Sequence, residues 1–110
     1  MAGVREERLA LNEALFRVAN ERMADWEERH EEDEIELYHC ECAELDCREK
    51  VPLGKADYER VRADSSHFIV LPGHEKPEIE TVIEKREGWS VIEKNPEVQS
   101  VVEQTDPRRD

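Results

Sequence analysis

Across residues 3–30 apolar side chains recur with the period of an α-helix, in a stretch rich in Ala, Leu, Glu and Arg and free of proline. Placed on a helical wheel, Val18, Leu11, Val4, Leu15, Trp26, Ala19, Met23, Phe16 and Leu9 cover about half of the circumference. Glu6, Glu7, Glu13, Arg17, Glu21, Asp25 and Glu28 fill the other half. The pattern predicts one long amphipathic helix with its charged half in water. Within the apolar half, Leu9, Asn12, Phe16, Ala19, Met23 and Trp26 have the 3,4 spacing of a helix-pairing seam. That face either covers the sheet of its own chain or binds a second copy or another protein. Residues 27–34 then hold six acids in eight positions. Acids at a helix C-terminus oppose its dipole, so a solvated hinge is expected here. The run lacks the glycine and alternating oxygen ligands of a calcium loop.

Beyond the hinge the period shortens. Residues 35–40 and 49–53 read as two strands of a hairpin, and residues 53–64 as a helix of two to three turns ended by Ser65-Ser66. His67 to Leu71 is the most apolar strand, followed by the loop Pro72-Gly73-His74-Glu75-Lys76-Pro77. Ile79 to Lys85 and Trp89 to Lys94 form a second hairpin, with Gly88 where a positive φ is needed. Asn95-Pro96-Glu97 opens a short helix whose apolar face is Val98, Val101 and Val102. The expected fold is α+β: a long N-terminal helix followed by a small zinc-stabilised antiparallel sheet with one or two short helices. The expected organisation is a helix and hinge over 1–34, a small α+β domain over 35–104 and a disordered tail over 105–110.

Composition explains why a metal enters this expectation. Leu, Ile, Val and Phe number only 24 of 110 residues, barely above the roughly 20% below which a highly charged chain stays disordered. A core this thin needs support. The formal charge of −13 argues against nucleic acid held by phosphate contacts. Apolar runs of only a few residues argue against a membrane span, and the start Met1-Ala2-Gly3-Val4-Arg5-Glu6 has no apolar leader, so a cytoplasmic location is expected.

The three cysteines supply the support. Cys40, Cys42 and Cys47 form C-x-C-x4-C, and an odd count in a reduced compartment points to metal ligation instead of disulfides. In extended chain Cys40 and Cys42 project to one face while Glu41 points away, and the turn through Ala-Glu-Leu-Asp returns Cys47. Soft thiolates with imidazole suit tetrahedral Zn²⁺. His74, aimed by the Pro72-Gly73 turn, is the preferred fourth ligand, with His39, His67, Asp46 or water as alternatives and His30 in the acidic stretch also present.

These residues, with Tyr58-Glu59-Arg60-Val61-Arg62-Ala63-Asp64, Phe68-Ile69-Val70-Leu71-Pro72-Gly73-His74-Glu75, Trp89-Ser90-Val91-Ile92-Glu93-Lys94 and Thr105-Asp106-Pro107-Arg108, make the chain resemble a family of short uncharacterised proteins, mainly from actinobacteria. The resemblance spans nearly the whole chain. It implies that His74 completes the thiol set, and it implies no activity.

The leading functional expectation is a zinc-stabilised intracellular protein-interaction or regulatory module, its unknown protein partner or second copy engaged through the N-terminal helix. A thiol-based redox or metal sensor using the same cysteines is the alternative. A zinc enzyme is a third reading, with Glu75 and Glu41 as the available acids, but a Cys3His set closes the metal to water and neither H-E-x-x-H nor a zinc-deaminase signature occurs.

Overall fold

The structure, a computed structural model, describes residues 3–27 and 35–108. Helix α1 spans Val4–Glu27; β1 (Ile35–His39) and β2 (Lys50–Gly54) follow, then α2 (Lys55–Arg62), β3 (His67–Val70), β4 (Glu80–Arg86) and β5 (Trp89–Lys94). A 3-10 turn at Pro96–Val98 leads into α3, Gln99–Gln104. The class is α+β, as the periodicity predicts. The expected acidic hinge lies outside the described residues, as do His30, the side chains of Met23 and Trp26, and the last two residues of the tail.

The strands form two antiparallel sheets, β1-β2 and β3-β5-β4. Gly88 takes φ 86° in the β4–β5 turn, the conformation that only glycine adopts without strain. The loop after β1 joins the two sheets. Cys40 N–H donates to the Glu49 carbonyl on the β2 side, and Glu41 N–H donates to the Ile69 carbonyl of β3 at 2.8 Å. Strand parity follows from this loop. Cys40 and Cys42 face inward, so Tyr38 does too and stacks on Tyr58 of α2 with ring centroids 4.5 Å apart, while Ile35 and Leu37 are turned to solvent. Tyr38, Val51, Leu53, Tyr58, Val61, Phe68, Ile69, Val91 and Ile92 form the main core with Cys40 and Cys42.

Helix α1 is rotated relative to its hydrophobic pattern. Leu9, Ala10, Glu13, Ala14, Arg17, Asn20 and Glu21 are buried, an i, i+3, i+4, i+7 series. Val4, Leu11 and Leu15 face water. The expectation that Glu13, Arg17 and Glu21 lie in solvent is therefore corrected, and the reason is electrostatic. The surface beneath α1 presents Lys94, Arg62, Glu41 and two carbonyls. Lys94 Nζ contacts both Glu13 and Glu80, all three side chains being fully buried. Arg17 lies 4.2 Å over the Phe68 ring and donates to the carbonyls of Ser65 (2.6 Å) and Val102 (3.2 Å). Lys94 approaches the same ring at 4.6 Å. Of the seam read from the sequence, Leu9 is packed with Ala43, Ile79 and Val98, and Asn12 donates to the Ala43 carbonyl at 2.7 Å. Those residues attach α1 to its own chain.

The tail is likewise held, at least through Arg108. Asp106 is buried and accepts from Arg62 at 2.6 Å, and Arg108 pairs with Glu21 and with Glu59. A buried guanidinium needs carboxylates around it, and Glu21 and Asp106 supply them from the two ends of the chain. Thr105 to Arg108 is thus part of the fold, a correction to the expected disordered tail.

Candidate metal centre

Two segments far apart in sequence converge beside β3. One is the β1–β2 connection, where extended chain at residues 40–42 directs Cys40 and Cys42 to one side. The turn that follows, closed by Cys47 N–H donating to the Glu44 carbonyl at 3.0 Å, returns Cys47. The other is the turn after β3, where Gly73 takes φ 87° and His74 N–H donates to the Leu71 carbonyl at 3.0 Å, aiming the imidazole back toward the thiols.

One ligand atom from each of Cys40, Cys42, Cys47 and His74 lies within 4.8 Å of the others. His74 Nδ1 stands 3.5 Å from Cys40 Sγ and 3.8 Å from Cys47 Sγ. Cys40 and Cys42 are buried, Cys47 and His74 half-buried. The backbone supports the sulfurs: Leu71 N–H donates to Cys40 Sγ at 3.3 Å. This is a Cys3His group within metal-binding distance.

Cys40 S–H against Cys42, assisted by His74 and Cys47, brings Cys42 down to about 5, while the same contact and burial push Cys40 up. Burial raises Cys47 as well. Neighbours that stabilise one thiolate are suited to a cation, which deprotonates the remaining thiols as it binds.

The other sequence candidates are placed elsewhere. His39 Nδ1 meets Lys50 Nζ at 2.8 Å, its ring near Phe16; burial and the Lys50 charge lower its pKa. His67 lies 2.9 Å from Glu93 and 3.6 Å from Asp64, a separate and more exposed group. Asp46 is exposed and outside the cluster. His74 is the imidazole that the fold brings to the three cysteines.

Glu41 has a role that the sequence reading missed. Pointing away from the cysteines, it is fully buried, accepts from Ile69 N–H at 3.0 Å, and receives Asn20 Nδ2 at 2.9 Å. Burial lifts its pKa to about 7 against these bonds. The signal was present in parity: a residue between two inward-facing cysteines faces the opposite layer, which here is α1. The chain matches no protein-family model, and neither curated proteins nor solved structures give a match.

Proposed function

We propose that the chain is a small zinc-stabilised protein-interaction module, in which Zn²⁺ on Cys40, Cys42, Cys47 and His74 fixes the platform on which α1 docks. The observation that carries the reading is the donor geometry. Tetrahedral zinc with sulfur near 2.3 Å and nitrogen near 2.0–2.1 Å implies S···N separations of about 3.5 Å, and the two measured here are 3.5 and 3.8 Å. Three thiolates and one imidazole favour zinc among the common divalent ions. Bound there, the ion supplies a cross-link between the β1–β2 loop and the turn after β3, without redox chemistry of its own. Four protein donors complete a structural coordination shell, which favours a scaffold over catalysis.

The platform links metal to surface. Residues 39–43 carry the thiolate segment on one side and the acceptors for Asn12 and Asn20 of α1 on the other. Ordering the loop therefore orders the helix, whose outward face carries the exposed Leu11 and Leu15. Titrating a chelator while following circular dichroism tests the reading: the apo protein is expected to melt well below the holo form, and equal melting temperatures contradict a structural ion. The half-buried Cys47 supports the alternative of a thiol sensor, because an accessible ligand is the one an oxidant reaches first. Prompt zinc release by mild peroxide, reversed by a thiol reductant, separates that role from a purely structural one.

A further inference from the structure

Helix α1 shows solvent the residues that a helix ordinarily hides. Its polar half is committed to Lys94, Arg62 and Phe68, and the opposite face presents Val4, Leu11 and Leu15 at 75%, 46% and 60% exposure, with Val18 half-buried beside them. Leu11, Ala14, Leu15, Val18 and Thr105 line an open apolar groove of about 490 Å³. The stripe is also regular. Val4, Arg8, Leu11, Leu15, Val18 and Arg22 follow at alternating steps of four and three residues, the a/d repeat of a left-handed helix pair.

We propose that this stripe is a homodimer seam, with α1 packed antiparallel against α1 of a second copy about a two-fold axis between Leu11 and Leu15. The proposal rests on reading the outer face of α1 as the module's binding surface, and it names the occupant. Under that axis the stripe is its own complement: Leu11 meets Leu15, Val4 meets the stem of Arg22, and Val18 meets the stem of Arg8.

Charge selects both partner and direction. A parallel pair sets Arg8 on Arg8 and Arg22 on Arg22 within the seam, which like-charge repulsion opposes. The antiparallel pair separates them and brings each Arg22 beside the first-turn acids Glu6 and Glu7 of the other copy. An anionic lipid surface is disfavoured by the formal charge of −13. The same charge on two copies acts mostly beyond the roughly 8 Å screening length of physiological salt, whereas the seam contacts act within it. A 24-residue helix is about 36 Å long, so the seam lies at the small end of specific interfaces and an exchanging dimer is expected.

Sedimentation equilibrium of the full-length, metal-loaded chain tests this, with zinc content and circular dichroism read on the same samples. The wild type is expected to be a concentration-dependent dimer, weakened at least about tenfold by Leu15→Glu. Ile83→Glu, on an exposed strand position elsewhere, is expected to leave dimerisation unchanged. Arg22→Glu weakens the dimer, and adding Glu7→Arg to the same chain restores it, because only the antiparallel pair places residues 22 and 7 together. A wild type that stays monomeric at millimolar concentration while retaining zinc overturns the seam and leaves the zinc reading intact. A folded dimer without zinc has the reverse consequence. Absence of rescue by the charge swap overturns the antiparallel assignment.

Discussion

Asn20 of α1 grips the metal loop from behind: its side chain donates to the His39 carbonyl at 2.8 Å, accepts from His39 N–H at 2.7 Å and donates to Glu41 Oε2 at 2.9 Å. One fully buried amide thus satisfies a backbone donor, a backbone acceptor and the carboxylate between two candidate metal ligands. Asn20→Ala leaves several of these groups unpaired in the interior, and each such group costs about 1–3 kcal/mol. The expected loss is about 3 kcal/mol, measured by urea denaturation of the metal-loaded protein. A loss below about 0.5 kcal/mol means that Asn20 does not anchor α1.

The Lys94 triad makes a second prediction. Lys94→Met leaves the carboxyl groups of Glu13 and Glu80 buried without the amine that both contact, and each buried polar group left unpaired costs about 1–3 kcal/mol. The triple variant Glu13→Leu, Lys94→Met, Glu80→Gln removes the stranded carboxyls and keeps an acceptor for Lys76 N–H, which donates to Glu80 at 2.8 Å. It is expected to recover most of the loss in a thermal melt. If the triple variant is no more stable than Lys94→Met, unpaired carboxyls are not what the single change exposes.

Burial raises the folded-state pKa of Glu80 to about 8, helped by the nearby Cys42 and Glu75 charges, and that of Glu41 to about 7, both from an ordinary value of 4.5. Between about pH 4.5 and 8 these two carboxyls hold more protons in the folded than in the unfolded chain, so their own contribution to stability falls as pH rises through that window, whereas Lys94, its pKa lowered by burial, and thiolates held by a metal act in the opposite direction. The stability of the wild type relative to Glu80→Gln is therefore expected to fall from pH 6 to pH 8 by on the order of 1 kcal/mol, since one pKa unit corresponds to about 1.4 kcal/mol. Denaturation midpoints of the two proteins at the two pH values measure it. A difference that instead grows from pH 6 to pH 8 contradicts a neutral Glu80 carboxyl beneath α1.

The C-terminal contacts predict that truncation after Gln104 destabilises the fold. Asp106 leaves with the tail, depriving the buried Arg62 of one of its two carboxylates. Burial works against the Arg62 charge, but Glu21 and Asp106 outweigh it and hold its pKa above the usual value. Asp106→Asn alone is expected to reproduce most of the truncation's effect in urea titrations. If the truncated chain matches the full-length one, the tail contributes nothing.

Much of this architecture is legible in the sequence. A continuous apolar run places β3, a β-type run after Gly88 places β5, Gly88 marks the hairpin turn, and parity joins Cys40 to Cys42. The P-G-H turn aims His74, which the fold brings to the thiols. What the sequence hides is the orientation of α1. Hydrophobic periodicity presumes that an apolar face seeks the core, yet Glu13, Arg17 and Glu21 find Lys94, Phe68 and Arg62 across the interface, partners that no local pattern links to them. The tail misleads for the same reason: Asp106 looks solvated until Arg62 is seen beneath it.

The central claim is that Cys40, Cys42, Cys47 and His74 share one ion. Zinc K-edge absorption on protein purified without added metal, with metal content determined on the same sample, tests it most directly. One zinc per chain, coordinated by three sulfurs near 2.3 Å and one nitrogen near 2.0 Å, with the nitrogen lost in His74→Ala, is the predicted result. Metal-free folded protein, or a sulfur and nitrogen shell unchanged in His74→Ala, contradicts it.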